Sequence, residues 1–138
     1  LCLDKDINTV MMVDEAHVLL SSHNELGAEF LAQIQRRSRK YNTGTIIITQ
    51  QPTDFAAPNI ITHGKAIFDN ASYYLVMGLR KQAVDDLSKL IDLNDNEKEA
   101  IKYYNQGEAL FICGNKRMKI QVVITQEELD SFGSGGGY

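Results

Sequence analysis

Cysteine and long apolar runs are scarce in this chain, and each scarcity closes off a class. The 138 residues hold two cysteines, Cys2 and Cys113. They are too few for a disulfide framework and lack metal-binding spacing, which fits a reducing compartment. Cys113 lies inside an apolar run and reads as a plain buried thiol. No apolar stretch approaches the length of a membrane span, and no secretory leader is visible. A surplus of positive charge is also missing. The formal net charge is -4, so bulk charge lends no support to nucleic-acid binding, which would need a local basic patch. His23 and His63 have no partners at metal-ligand spacing, and no internal repeat is present. The most informative absence is that of a phosphate-cradling loop, G-x-x-x-x-G-K-[ST]. Gly64-Lys65 lacks the preceding glycine and is followed by Ala66, so nothing here supplies that cradle.

What remains is ordinary globular material of one domain's length, enough to bury roughly two-thirds of its unfolded surface. Residues 7–13 form an apolar run expected to be a buried parallel strand. Ser21, Ser22 and Asn24 are candidate N-caps for a helix from about 24 to 40, in which Leu26, Phe30, Leu31 and Ile34 fall at helical spacing. Asn42 and Gly44 bracket its exit. A second β-branched run, Thr45-Ile46-Ile47-Ile48-Thr49, completes a right-handed βαβ unit. Residues 52–58 read as a loop or single turn, and 59–70 as a helix that Gly64 weakens. A third strand is expected over 73–77, and helices over about 80–90 and 94–105. The second of these helices opens with a capping box, Asn94 and Glu97, and stops at Gly107. Strands over 108–113 and 118–124 flank a hairpin turn at Gly114-Asn115. A short helix over 127–132 and a flexible glycine-rich tail over 133–138 close the chain.

The first strand ends abruptly in Asp14 and Glu15. Ligands of open α/β sheets gather at the carboxyl ends of such strands. In nucleotide-hydrolysing sheets this is the Walker B position: the first acid holds magnesium, usually through water, and the second orients the attacking water. The plainer reading is a strand followed by an acidic helix start. Gln50 ends the second strand at the same sheet edge. There an amide can donate to a phosphate oxygen and accept from water, as a sensor does, or Gln50 and Gln51 simply open a loop before Pro52. His17 completes the letters D-E-A-H and either joins this network or begins the helix. The cluster Arg36, Arg37, Arg39 and Lys40 fits a helix C-terminus, where cations are favoured. It also fits an arginine finger reaching a neighbouring subunit's nucleotide. Arg80, just past the third strand, is a second candidate of that kind. With a phosphate loop expected before Leu1, the chain reads as the C-terminal part of a larger nucleotidase carrying half a site. Leu1 in place of a starting Met agrees with a fragment or a processed product.

Val13-Asp14-Glu15-Ala16-His17, the basic end at 36–40, Tyr41-Asn42-Thr43-Gly44 and Ile48-Thr49-Gln50-Gln51-Pro52 stand in an informative order. With Leu93, Glu97, Ile101 and Gly107-Glu108-Ala109-Leu110 they extend through most of the chain up to about Phe132. Val18 and Leu19 after His17 depart from superfamily-two helicases. The pattern resembles the FtsK/HerA-like motors, and more closely the C-terminal region of VirB-four-like (TraC/TraE-type) conjugative-transfer ATPases of type IV secretion systems. The resemblance implies an α/β, RecA-like, mostly parallel sheet flanked by helices over 1–132, without its P-loop and with a C-terminal β-hairpin. It implies ATP and Mg2+ as cofactors, Asp14 at the metal, Glu15 and Gln50 as catalytic residues, and Arg37 or Arg39 (or Arg36) at a nucleotide in trans. It further implies a homo-oligomer, expected to be a hexamer, working with other type IV secretion components at the cytoplasmic face of the inner membrane. A DNA-translocating coupling or packaging motor and a non-catalytic assembly module are the alternatives.

Overall fold

The computed structural model describes residues 6–20 and 24–132, without the side chains of Arg39 and Phe132. Cys2, Ser21, Ser22, His23 and the stretch 133–138 lie outside the described residues. Strand β1 (Thr9–Val13) passes through a 3-10 turn (Ala16–Leu20) to helix α1 (Glu25–Arg37). A second 3-10 turn (Ser38–Tyr41) leads to β2 (Thr43–Ile47). The two strands run parallel, Thr9 opposite Thr43 and Val13 opposite Ile47, as the βαβ reading requires. Asn24 is the cap, its side-chain oxygen accepting the Gly27 N–H at 3.0 Å.

Helix α1 is shorter than its expected end at Lys40, and β2 starts earlier than Thr45. The cause is Asn42. It adopts the left-handed conformation at φ 49° and donates its N–H to the Ser38 carbonyl, which closes a tightened last turn. The chain leaves that residue already extended, so Thr43 and Gly44 join the strand.

Helix α2 (Pro52–Phe55) and helix α3 (Ile61–Asp69) follow. Gly64 is needed in α3 for close approach: a Cβ there would stand 2.1 Å from the Phe55 carbonyl oxygen. Beyond β3 (Tyr73–Met77) come α4 (Lys81–Leu87) and α5 (Asp95–Ile101). Strands β4 (Glu108–Cys113) and β5 (Lys116–Gln121) precede a last helix, α6 (Gln126–Phe132). The capping box of α5 is present: the Asn94 side chain accepts the Glu97 N–H and the Glu97 carboxylate accepts the Asn94 N–H, each at 2.9 Å. The hairpin turn is Gly114-Asn115, with φ 56° at Gly114. This two-residue loop sets Cys113 opposite Lys116 and Glu108 opposite Gln121. Strand β5 therefore starts at the charged Lys116 and ends where β4 runs out, which leaves Val123 and Ile124 exposed beyond it. Cys113 is free and half-buried at the end of β4, not fully enclosed; the strand ends there.

The mixed α/β class with its C-terminal hairpin is as expected. Among the described residues, parallel pairing is confined to β1 and β2, because β3 pairs antiparallel with β4 and so joins the hairpin in a three-stranded sheet. Two cores result. Leu20, Leu31, Phe55 and Ile60 fill one, against Val13 and Ile47. Val76, Val84, Ile101 and Leu110 fill the other. Phe68 packs against both. Its ring meets Phe55 edge-on at 5.4 Å and stacks on Tyr74 at 6.0 Å, and the Tyr74 hydroxyl donates to the Phe68 carbonyl at 2.6 Å. Strand β1 departs from full burial. Val13 faces the core, but Val10 and Met12 are exposed, as are Ile46 and Ile48 beside them. Helices cover one face of the parallel pair, and no described residue covers the other.

Candidate functional site

The carboxyl ends of β1 and β2 are tied together before any side chain is considered. Ile48 N–H donates to the Val13 carbonyl and Ala16 N–H to the Ile48 carbonyl, both at 2.9 Å. Ala16 and Leu20 are fully buried in the core below. Between these anchors the backbone must turn sharply, and it does so at Glu15, whose φ of 50° is left-handed. A non-glycine residue in that region carries strain of order 1–3 kcal/mol, which persists only where the surroundings enforce it. The ladder bonds at Val13, Ala16 and Ile48 enforce it here.

The turn brings side chains together across the two strand ends. Gln50 Nε2 donates to Glu15 Oε1 at 2.7 Å, across 35 positions of sequence. Asp14 Oδ1 accepts the Glu15 N–H at 2.8 Å, and Asp14 is exposed. His17 Nδ1 lies 3.1 Å from Glu15 Oε2. This contact meets the distance of an ion pair but not the direction of a hydrogen bond, since the buried Nδ1 has no aligned partner.

Asp14, Glu15 and Gln50 thus gather at the carboxyl ends of the two strands, with Gln50 three residues past the end of β2 at Ile47 and not at its last position, and His17 joins them. The basic cluster does not. Gln35, near the end of α1, accepts the Thr45 hydroxyl at the middle of β2, and the chain from Arg37 returns through the 3-10 turn to the start of β2 at Thr43. Arg36 and Arg37 are exposed there, at the opposite edge of the parallel pair from Asp14. A strand rises about 3.3 Å per residue, so the five residues of β1 separate the two edges by roughly 15 Å. The Arg39 side chain lies outside the described residues. Arg80 is exposed at the N-cap of α4.

Magnesium suits what is present. It binds through one or two carboxylates and retains waters, in place of an all-protein cage. Asp14 offers one exposed carboxylate, and no group of three or more His, Cys, Asp or Glu is gathered to hold a metal among the described residues.

Sequence reasoning missed Asp86. It is 4% exposed in α4 and accepts from Lys89 at 2.5 Å and Gln82 at 3.3 Å. The Lys89 hydrogen bond holds its carboxyl below the usual carboxylate range, against the opposing effect of burial; bonds from Gln82 and Thr53 lower it further. Thr53 belongs to α2, directly after Gln50 and Gln51, so Asp86 fastens that segment to α4. No spacing rule announces such a residue.

The TraG P-loop domain family matches residues 2–129. VirB4 of Thermoanaerobacter pseudethanolicus superposes with a TM-score of 0.84 at 31% identity, over 91% of this chain and 34% of that one. An uncharacterised protein of Bacillus anthracis is 21% identical over 133 residues, covering 91% of this chain and 21% of that protein. The chain thus spans about a third of the length of the first and about a fifth of the second. The VirB-four-like resemblance carried by the motifs is borne out at the level of family and fold, and the chain belongs to the TraG P-loop domain family.

Proposed function

We propose that residues 1–132 are the C-terminal part of a RecA-like domain in a motor ATPase of conjugative transfer or type IV secretion. The observation that carries this reading is the 2.7 Å contact of Gln50 with Glu15 at the carboxyl ends of parallel strands, with Asp14 beside them. Asp14 would hold magnesium when Mg-ATP is bound, and the metal would supply charge stabilisation at the phosphates. Glu15 orients the attacking water and accepts its proton. Gln50 senses the nucleotide through an amide that donates and accepts at once. The phosphate cradle comes from elsewhere in the longer protein.

Arg36 and Arg37 stand at the far edge of the parallel pair, away from this chain's own Asp14, and Arg39 follows them in sequence. That placement supports an arginine acting on a neighbouring subunit's nucleotide, and with it a ring of identical subunits, a hexamer in this class. The motor works beside other secretion components at the cytoplasmic face of the inner membrane. No described helix is long and apolar enough to cross a membrane.

The test is Glu15→Gln in the full-length protein. Loss of a positioned proton acceptor lowers ATP turnover by roughly 100-fold or more. Unchanged turnover would remove Glu15 from the mechanism and end this reading. DNA-stimulated turnover in the wild type would move the assignment to a DNA-translocating motor. The 138-residue chain alone is expected to show no appreciable turnover.

A further inference from the structure

The Glu15 carboxylate is approached at both oxygens. Gln50 reaches Oε1 and His17 stands by Oε2. The second approach is unusual for residues two apart. In a helical turn, positions i and i+2 do not share a face, so a glutamate in ordinary helical conformation would point away from a histidine two residues on. The left-handed backbone of Glu15 undoes that rule and turns the carboxylate back over the start of the 3-10 turn. His17 is well placed to receive it. Its side chain is 20% exposed against 45% for Glu15. The backbone on either side is pinned by Ala16 N–H on the Ile48 carbonyl and by Val18 N–H on the Glu15 carbonyl, each at 2.9 Å. The Nδ1 atom is buried and has no hydrogen-bond partner, so no other acceptor competes with the Glu15 oxygen 3.1 Å away.

We propose that His17 is a positioning residue for Glu15. It holds Oε2 through a proton on Nδ1, the tautomer that a neighbouring carboxylate selects. Oε1 is then the oxygen left to change partners, from the Gln50 amide to the attacking water, while the carboxylate keeps its orientation. Contacts of this kind are often poorly aligned before substrate binds and tighten afterwards, which accounts for the distance being met here and the direction not. The inference rests on the hydrolytic reading above.

Three substitutions in the full-length protein test it. His17→Phe keeps ring bulk and removes the nitrogen; His17→Asn keeps a donor close to the Nδ1 position and loses bulk; His17→Ala loses both. The expected result is a fall in kcat of tenfold or more for Phe and Ala, with KM for ATP unchanged, and recovery of most of kcat in Asn. A merely structural role predicts the reverse order, Phe active and Asn impaired, and that result would overturn the proposal. A second readout is the pair Glu15→Gln with His17→Phe. Residual turnover of the double variant equals that of Glu15→Gln alone if His17 acts through Glu15; a further independent drop overturns it. If Glu15→Gln is itself fully active, the hydrolytic reading falls. If Glu15→Gln is inactive and His17→Phe is not, the reading stands and only the role of His17 falls.

Discussion

Replacing Glu15 by alanine and, separately, by glycine isolates the cost of its backbone from the value of its side chain. Both variants lose the contacts to Gln50 and His17, so those losses cancel in the comparison. What differs is the left-handed φ of 50°. An L-residue with a Cβ is disfavoured there by roughly 1–2 kcal/mol, and glycine is not. Against this, glycine gives the unfolded chain extra freedom, which costs about 0.5–1 kcal/mol relative to alanine. The balance favours the glycine variant by about 0.5–1 kcal/mol. The sign is the telling part, because at a right-handed helical position glycine is the less stable by a similar amount. Urea unfolding followed by circular dichroism would show it. With a slope of roughly 1–3 kcal/mol per molar urea, the Glu15→Gly midpoint should lie about 0.2–1 M above that of Glu15→Ala. If alanine proved the more stable, Glu15 would not be held in a left-handed turn, and its approach to His17 would lose its basis.

Two further outcomes test the packing that supports the site. Gly64→Ala should destabilise by about 1–3 kcal/mol despite alanine's better helix propensity, since the new methyl meets the Phe55 carbonyl; a rise in melting temperature would contradict that close approach. Asp86→Asn should cost about 1–3 kcal/mol near pH 7 through lost charge-assisted hydrogen bonds. Because the folded-state pKa of Asp86 is depressed below its ordinary 3.8, its contribution is complete above that value and disappears as the pH falls through the lower folded one. Unfolding measured from pH 7 downward should therefore show wild type and variant converging only in strong acid. A constant gap would mean that the Asp86 charge is not what stabilises.

The parts of the fold legible in sequence are those whose signals are local. Strands β3 and β4 run over 73–77 and 108–113 as expected, bounded by glycines that stop them, and the capping box of Asn94 and Glu97 opens α5. The reach of β5 is not local. It follows from the two-residue turn at Gly114-Asn115, which recruits Lys116 and Arg117 into the strand against their polarity. Arg117 is then accommodated by Glu97 at 2.7 Å, and Lys119 pairs with Glu108. Apolar Val123 and Ile124 look more strand-like but have no β4 residue opposite them. At the site, the strand-end position of Asp14, Glu15 and Gln50 is legible because parallel strands bring their carboxyl ends together. The contact of His17 with Glu15 is not, since it depends on one backbone angle that no residue preference at Glu15 announces.

The uncovered apolar row of β1 and β2 bears on how this chain would behave under selection. Val10, at 69% exposure, and Met12, at 62%, contribute little to folding here, and exposed positions of that kind usually tolerate exchange within about 0.5 kcal/mol. A mutational scan scored on the folding of these residues alone would record them as silent, while Leu31 or Ile60 would register strongly. Scored on the output of a larger assembly, the same library would follow a different ordering wherever a residue answers to something besides its own domain's stability. Val10, Met12, Ile46 and Ile48 are where the two orderings should part.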